Sequence, residues 1–326
     1  MKIKIYDKDL NNILFVDGQF VSCLWSEGYN TVGSFCLELI DTAEYREKIR
    51  EDFYAGRSDR DTLMVIKTVE FRDGRIIASG KQATAVLDDV AMIGTIQAGV
   101  NIDIAVKNAY NNSAKFRKLN FAETNIGVKS THQISNASFG EVCSTLCTDT
   151  DLGFRVKRAG AELMAEFYQP SENPNLVFSK QYGNLSEPKI TLSTEGAKNY
   201  AIVFGQGEGE NRTYTTVDIT GGEDRRELVV DAKDLQMDDG ETTEDYLKRL
   251  KSRGIEKLLE CRSVFSCSFI PSEKDFGNKY DLGDILTVNL SEYGLKLKAR
   301  VSKFSQKSQS NKTETTVEVG QIVIAR

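Results

Sequence analysis

Short apolar runs with a two-residue period dominate the first ninety residues. Ile13 to Val16 and Phe20 to Trp25 are separated by Asp17-Gly18, a pair suited to a tight turn. Phe35, Leu37 and Leu39 alternate with Cys36 and Glu38, as a strand with one face in a core requires. Leu63 to Ile66 and Thr68 to Phe71 lead into Asp73-Gly74, and Arg75 to Ala78 returns, which predicts a hairpin. Several such strands joined by tight turns predict a small barrel or sandwich.

The period then lengthens. Val100 to Tyr110 reads as a helix, though one weakened by asparagines. A stronger helix opens at Ser138, where Ser138 and Glu141 fit a capping box that satisfies free first-turn N–H groups. Phe139, Val142, Cys143, Leu146 and Cys147 follow at helical spacing and predict a core-facing stripe. Gly153 to Phe167 returns to strand alternation. Lys189 to Leu192, Ala201 to Phe204, the segment Asn211 to Thr215, and Glu227 to Val230 also read as strands. Residues 242–260 form the strongest helix: Thr242 and Asp245 supply start chemistry, and Tyr246, Leu247, Leu250, Leu258 and Leu259 make its apolar face. Gly254 predicts a weak point there, at a cost of about 1 kcal/mol relative to alanine.

The last sixty residues are again strand-like. Leu295, Leu297, Ala299 and Val301 alternate with Lys296, Lys298, Arg300 and Ser302, so a basic face is expected in water or against a partner. Thr315 to Val319 and Gln321 to Ile324 complete the expected meander. The fold class that results is mixed α+β, mainly β. The expected division is an N-terminal β domain over 1–96, a mixed α/β middle domain over 97–175, and a C-terminal β-rich domain over 176–326 with the helix near 242–260 bracing it.

Composition narrows the function. The chain has 326 residues, 40% hydrophobic and 28% charged, the balance of a globular protein with a sizeable core. A net charge of −6 argues against a dedicated nucleic-acid binder. No apolar run is long enough for a transmembrane helix, so no membrane insertion is expected. The opening Met1-Lys2-Ile3-Lys4-Ile5-Tyr6-Asp7 lacks the apolar stretch of a signal peptide, which predicts a protein made and kept in a cytoplasm or one that leaves by a route needing no signal. The six cysteines are accordingly read as reduced, small hydrophobes.

Catalytic signals are sparse. Gly205-x-Gly207-x-Gly209 follows a strand, but its spacing does not match G-x-G-x-x-G and glutamates fill the gaps, so it is read as a hairpin loop. Asp88-Asp89, Asp238-Asp239 and the Glu208/Glu210 pair are read as solvated turns. Any histidine-dependent centre would have to use His132, the one histidine, whose neighbours Ser130, Thr131 and Gln133 show no nucleophile pattern. No catalytic, cofactor-binding or metal-ligating residue is assigned. Arg225-Arg226-Glu227 is read as a solvated strand edge, with an intersubunit ion-pair network as the sharper alternative.

Several stretches, in order along the chain, resemble the tail-hub (baseplate-hub) proteins of siphophages, the ReqiPepy-type siphovirus tail protein family. They are Trp25-Ser26-Glu27-Gly28-Tyr29-Asn30 with Gly33, Phe35 and Leu37, then Gly80 with Leu87-Asp88-Asp89. Asn199 to Gly205 with Gly207 and Arg212 follows. The most specific stretch is Gly221 to Leu235, with Arg225, Arg226, Glu227, Asp231 and Asp234. Tyr280 to Val288, with Gly283 and Asp284, precedes Ala299-Arg300-Val301. Lys233 stands where relatives often carry arginine, and no arginine follows Leu87-Asp88-Asp89.

The resemblance implies a virion structural protein of a phage or prophage, not an enzyme, located at the tail tip. It implies two small tail-tube-like β-barrels per chain and a homotrimeric ring of pseudo-sixfold shape that continues the tail tube. Partners would be the distal-tail protein, the tape measure protein and receptor-binding or fibre proteins, with DNA passing through unbound. A trimer would carry three times −6, and acidic residues on a lumen would repel DNA from the wall. The competing reading is a tail-associated cell-envelope hydrolase or carbohydrate-binding module, which would need carboxylates converging in a cleft or exposed aromatic platforms.

Overall fold

A computed structural model describes residues 1–113, 118–130, 133–238, 240–261, 264–271, 275–309 and 312–320. The chain divides into two compact units: unit 1 is Met1–Lys189 with Ser268–Arg326, and unit 2 is Ile190–Cys267. The expected limits near residues 96 and 175 both fall inside unit 1.

Unit 1 begins with β1 (Lys2–Tyr6), β2 (Asn12–Asp17), β3 (Ser22–Gly28), β4 (Ser34–Ile40), the short helix α1 (Ala43–Lys48), β5 (Tyr54–Arg57), β6 (Leu63–Arg72) and β7 (Arg75–Gln82). The alternation expected at Phe35, Leu37 and Leu39 is realised in β4, whose three apolar side chains are buried. The β6–β7 hairpin turns at Asp73-Gly74, both at positive φ. The Asp17-Gly18 turn does not make a hairpin. β2 pairs with β1, while β3 pairs with β4 and with a strand nearly three hundred residues on. Ile3, Ile5, Val16, Trp25, Leu37, Leu39, Met64, Ile66 and Ile76 fill the core that results.

The middle of unit 1 runs β8 (Thr95–Ile96), α2 (Ile102–Asn112), β9 (Leu119–Phe121), β10 (Ile134–Ser135), α3 (Phe139–Thr150), β11 (Gly153–Ala159) and β12 (Glu162–Tyr168). The capping box at α3 forms as expected: Glu141 N–H donates to Ser138 Oγ at 3.2 Å, and Ser138 N–H donates to Glu141 Oε2 at 2.9 Å. All five residues of its apolar stripe are buried. They join Tyr110 of α2, Phe121 of β9, Phe167 of β12, and Tyr54, Leu63 and Val65 of β5 and β6 in one core. Each fully buried large side chain there contributes about 1.5–3 kcal/mol. After β13 (Glu172–Ser179) the chain enters unit 2 within β14 (Leu185–Ser193), at Ile190.

Unit 2 is a small three-stranded sheet of β15 (Tyr200–Phe204), β16 (Tyr214–Asp218) and β17 (Glu227–Asp231), covered by α4 (Thr243–Glu260). β15 is central, antiparallel to β16 and parallel to β17. Tyr246, Leu250 and Leu258 of α4 are buried against Ala201, Val203, Val217 and Val230. The side chain of Leu259 lies outside the described residues. The helix does not break at Gly254. A Cβ there would come within 2.6 Å of Val203 Cγ2 and 2.9 Å of Val217 Cγ2, so the glycine marks close packing of helix on sheet.

The chain returns through β18 (Val264–Pro271), β19 (Ile285–Leu290), β20 (Leu295–Gln309) and β21 (Lys312–Gly320). β20 pairs with β19 and β21 and, through Lys303–Gln309, with β3. One sheet therefore joins both ends of the chain in the order β14-β18-β21-β20-β3-β4-β7-β6-β5-β1-β2, with β13 and β19 alongside. The fold is mainly β, as expected, but this order is an open path. No pairing among the described residues closes either end of the chain into a barrel. Gln321 to Ile324, expected as a strand, lies outside the described residues.

Candidate functional site

Where β20 meets β3, unit 1 buries a network of charges. Trp25 is fully buried, its ring edge-on to Phe35 at 5.7 Å, and its Nε1–H donates to Glu27 Oε1 at 2.7 Å. Glu27 is 1% exposed, an unusual setting for a carboxylate. It is compensated by Thr62 Oγ1–H, donating at 3.2 Å, and by Arg60, whose Nε lies 3.0 Å from Oε1 without the alignment of a hydrogen bond. Arg60 also reaches Asp281 at 3.2 Å and lies over the Phe276 ring at 4.6 Å. Arg57 is held beside it by Nε–H and Nη2–H donated to Asp59 at 2.9 and 2.5 Å.

A second anchor lies at Arg300. The sequence places it on the outward basic face of β20, but it is 6% exposed. Its Nη2 donates to both oxygens of Asp151 at 2.7 and 2.8 Å, and its Nη1 donates to Gly283 O at 2.8 Å. Tyr29 supplies the ring beneath the guanidinium at 5.2 Å, and its hydroxyl donates to Leu152 O. Burial pushes the Tyr29 hydroxyl up to about 12, so it stays protonated. Lys296 and Lys298 alone keep the expected outward position, with Lys298 paired to Glu172.

The singled-out residues of unit 1 act on this frame. Trp25 and Phe35 are core. Gly33 lies where any Cβ would overlap Ser26 O and come within 2.8 Å of Gln82 Oε1, which accepts N–H donors from both Gly28 and Gly33. Gly283, at φ +90°, brings its carbonyl to Arg300 at a backbone conformation that side chains rarely adopt. Asp284 ties its own turn to the start of β13: its Oδ1 accepts from Ser171 N–H and Oγ–H, and its Oδ2 accepts from Asp281 N–H.

In unit 2, Gly205 to Gly209 links the antiparallel pair β15 and β16, as the hairpin reading expects. A Cβ on Gly205 would overlap the Tyr246 hydroxyl, which accepts from Gln206 N–H and donates to Leu235 O, each at 2.7 Å. Gly207 takes φ +103°. Asp231 pairs with Arg212, whose other donors hold Phe204 O and Gly205 O. That partner holds the Asp231 carboxyl below the usual range. Asp234 pairs with Arg253 of α4 at 3.0 Å. Arg225 lies 3.5 Å over the Tyr200 ring and pairs with Glu227; Arg226 pairs with Glu223 at 2.9 Å. These arginines are half-exposed and sit on a solvated edge.

The arrangement is suited to holding strands together. Among the described residues, no group of three His, Cys, Asp or Glu side chains is placed to hold a metal ion. No described helix is long and apolar enough to cross a membrane. All six cysteines are free, and burial pushes the Cys23 thiol up to about 12, away from a reactive thiolate. His132, Thr131 and Asp239 lie outside the described residues, as does the side chain of Glu210. Asp88 and Asp89 are exposed, and Asp238 pairs with Arg249. Cavities of about 270 and about 310 Å³ lie in unit 1. The second holds two carboxylates, Asp59 and Asp61, among Lys4, Arg57, Arg60 and Arg158. Burial raises Asp59, but Arg57 outweighs it and holds the carboxyl low, which is wrong for the protonated acid of glycoside cleavage.

Sequence reading missed the partners rather than the positions. Glu27, Arg60, Arg57, Asp281 and Asp151 carry the networks, and only charge inside an apolar strand, as at Glu27, was available to flag one of them.

The model of a family described as "Siphovirus ReqiPepy6 Gp37-like protein" matches residues 2–321. No curated protein sequence matches the chain. Among solved structures, the prophage tail protein gp18 from Listeria monocytogenes superposes with TM-score 0.61 at 12% identity, covering 98% of this chain and 94% of that one. The 43 kDa tail protein of prophage MuSo2 from Shewanella oneidensis gives 0.64 at 11%, covering 98% of each. The E. coli c3393 protein, a type VI secretion component described as similar to the T4 tail proteins gp27 and gp5, gives 0.51 at 10%, covering 92% and 73%. At these identities the likeness is one of fold.

Proposed function

The chain belongs to the siphovirus ReqiPepy6 Gp37-like family of phage tail proteins, and from that membership we propose that it is a tail-hub subunit that closes a ring at the tail tip. The observation that carries this reading is the extent of the likeness. Nearly the whole chain follows the fold of prophage tail proteins, and a protein resembling gp27 and gp5 shares that fold. The ring is a homotrimer in which each chain contributes two tail-tube-like modules. It receives the distal-tail protein on one side and fibre or receptor-binding proteins on the other, and the tape measure and then DNA pass through it.

The internal chemistry supports this reading. A subunit that bears load at a tail tip needs its chain ends locked together: the Glu27–Arg60–Asp281 network ties the turn before β19 to the N-terminal strands, and Arg300–Asp151 ties β20 to the end of α3. At the Asp73-Gly74 end of the β6–β7 hairpin, Phe71 of β6 and Ile40 of β4, which pairs with Arg75, are both exposed, and such apolar side chains are suited to face an adjoining subunit.

Light scattering during size-exclusion chromatography tests the proposal. A mass near three times 36.4 kDa is expected. A monomer that persists at the highest concentrations reached would overturn the self-assembling ring.

A further inference from the structure

The cavity of about 270 Å³ in unit 1 lies where the turn between β3 and β4, the first turns of α3 and the start of β11 meet. Its walls are fixed in place. Asn30 fastens the turn to β11: its Nδ2–H donates to Leu152 O at 2.8 Å and its Oδ1 accepts from Phe154 N–H at 3.0 Å. The Ser138–Glu141 cap fixes the start of α3. Gly140 lets the Asp88 carboxylate lie against that helix, since a Cβ there would overlap Asp88 Oδ1. Val32, 45% exposed, and the half-buried Phe154 supply apolar wall.

The charge is one-sided. Asp88 and Glu141 line the cavity and are both exposed to solvent, while no lysine or arginine among the described residues lines it. Neither carboxylate makes an ion pair among the described residues. Glu141 uses only Oε2 in the cap, and Asp89 beside them is engaged by Lys67 at 3.5 Å. Burial and the like charges of Asp89 and Glu141 push the Asp88 carboxyl up, and Lys81 offsets only part of this. The positive end of α3 opposes a cation, but it amounts to about half a charge against two whole ones. The volume falls below the roughly 300–1,000 Å³ of a cleft for a whole small ligand and suits a single side chain. Apolar wall beside two carboxylates favours a planar, weakly hydrated guanidinium over a strongly hydrated ammonium.

We propose that this cavity is a docking pocket for an arginine side chain of a neighbouring protein chain. The guanidinium meets Asp88 and Glu141, and the stem lies along Val32 and Phe154. The pocket is complete within one chain, so its failure would leave the ring proposal, read by mass, untouched.

Titration with the capped tripeptide acetyl-Gly-Arg-Gly-amide at constant ionic strength, followed by amide NMR shifts, tests it. Saturable binding with a Kd of about 10 mM or tighter is expected, with the shifts centred on Val32, Gly140 and Ser144. The same peptide with citrulline, the uncharged isostere, should bind about tenfold more weakly, and Asp88→Asn should weaken the arginine peptide by a similar factor. Ser144→Trp, at an exposed position on α3, should abolish binding by filling the cavity without removing a charge. Circular dichroism checks that both variants are folded. Absence of saturable binding by the parent chain, equal binding of the citrulline peptide, or unchanged affinity in both folded variants would overturn the pocket. Agmatine, a free guanidinium compound, binding more tightly than the peptide by about a hundredfold would assign the cavity to a small ligand and overturn the docking reading.

Discussion

Replacing Glu27 by alanine removes the acceptor at the centre of the buried network and leaves three groups stranded. Trp25 Nε1–H loses a 2.7 Å bond, Thr62 loses its partner, and Arg60 keeps only Asp281, on a side chain 14% exposed. Breaking a buried ion pair by deleting one partner costs about 3–5 kcal/mol, because the other charge stays desolvated. Glu27→Gln keeps an acceptor for Trp25 but loses the charge opposite Arg60, so a smaller cost of about 1.5–3 kcal/mol follows. For a unit of this size, the alanine variant should melt roughly 10 °C lower. Trp25 is the only tryptophan in the chain and lies inside unit 1, so its fluorescence during urea unfolding reports this unit directly.

The pair can also be removed together. Glu27→Leu with Arg60→Met exchanges the buried charges for apolar volume, and the double variant should lose less than the sum of the single losses by more than about 1 kcal/mol. Asp281, 40% exposed on its side chain, tolerates the loss of Arg60. Additive losses, or an alanine variant within about 1 kcal/mol of the parent, would refute the idea that this network locks the chain ends.

Two further outcomes are expected. Gly205→Ala forces a methyl group into the Tyr246 hydroxyl and the Leu250 side chain, so it should destabilise unit 2 by about 1–3 kcal/mol. Hydrogen exchange should show faster opening of the α4 amides, and unchanged α4 protection would count against the packing argument. Glu166 is pushed up by burial, but Lys157 and Arg155 outweigh this and hold it below the usual carboxylate value. A lowered folded-state value means the stabilisation is fully present above the unfolded value of about 4.3 and is lost as pH falls through the folded one. Glu166→Gln should therefore flatten the acid side of the stability curve below about pH 4, and an unchanged acid limb would remove Glu166 as a contributor.

What the chain's pattern announces and what it hides divide by sequence distance. The α3 capping box needs only Ser138, Glu141 and the stripe behind them, and all of it forms. The hairpin at Asp73-Gly74 and the β15–β16 loop are equally local. Gly254 was misread because propensity prices a glycine inside its own helix, whereas here its missing Cβ is what admits Val203 and Val217 from the sheet. Arg300 was misread for a related reason. Alternation assigns it to the solvent face, and only Asp151, Tyr29 and the Gly283 carbonyl, all distant in sequence, make burial of that face affordable.

The pairing of β20 with β3 lies at the far end of that scale. Nothing in Ser22–Gly28 or in Lys303–Gln309 names the other, and a strand's period of two fixes which face is buried but not which neighbour it takes. What does single out the pair is cost. Glu27 and Arg60 are each expensive to bury alone, and the register that sets Phe304 opposite Glu27 also brings Asp281 and the Phe276 ring to Arg60. A register slip would strand those charges, so the network penalises wrong pairings more than it strengthens the right one. In the ring proposed above, the two ends of every copy would have to meet identically, and that specificity is what this network would supply.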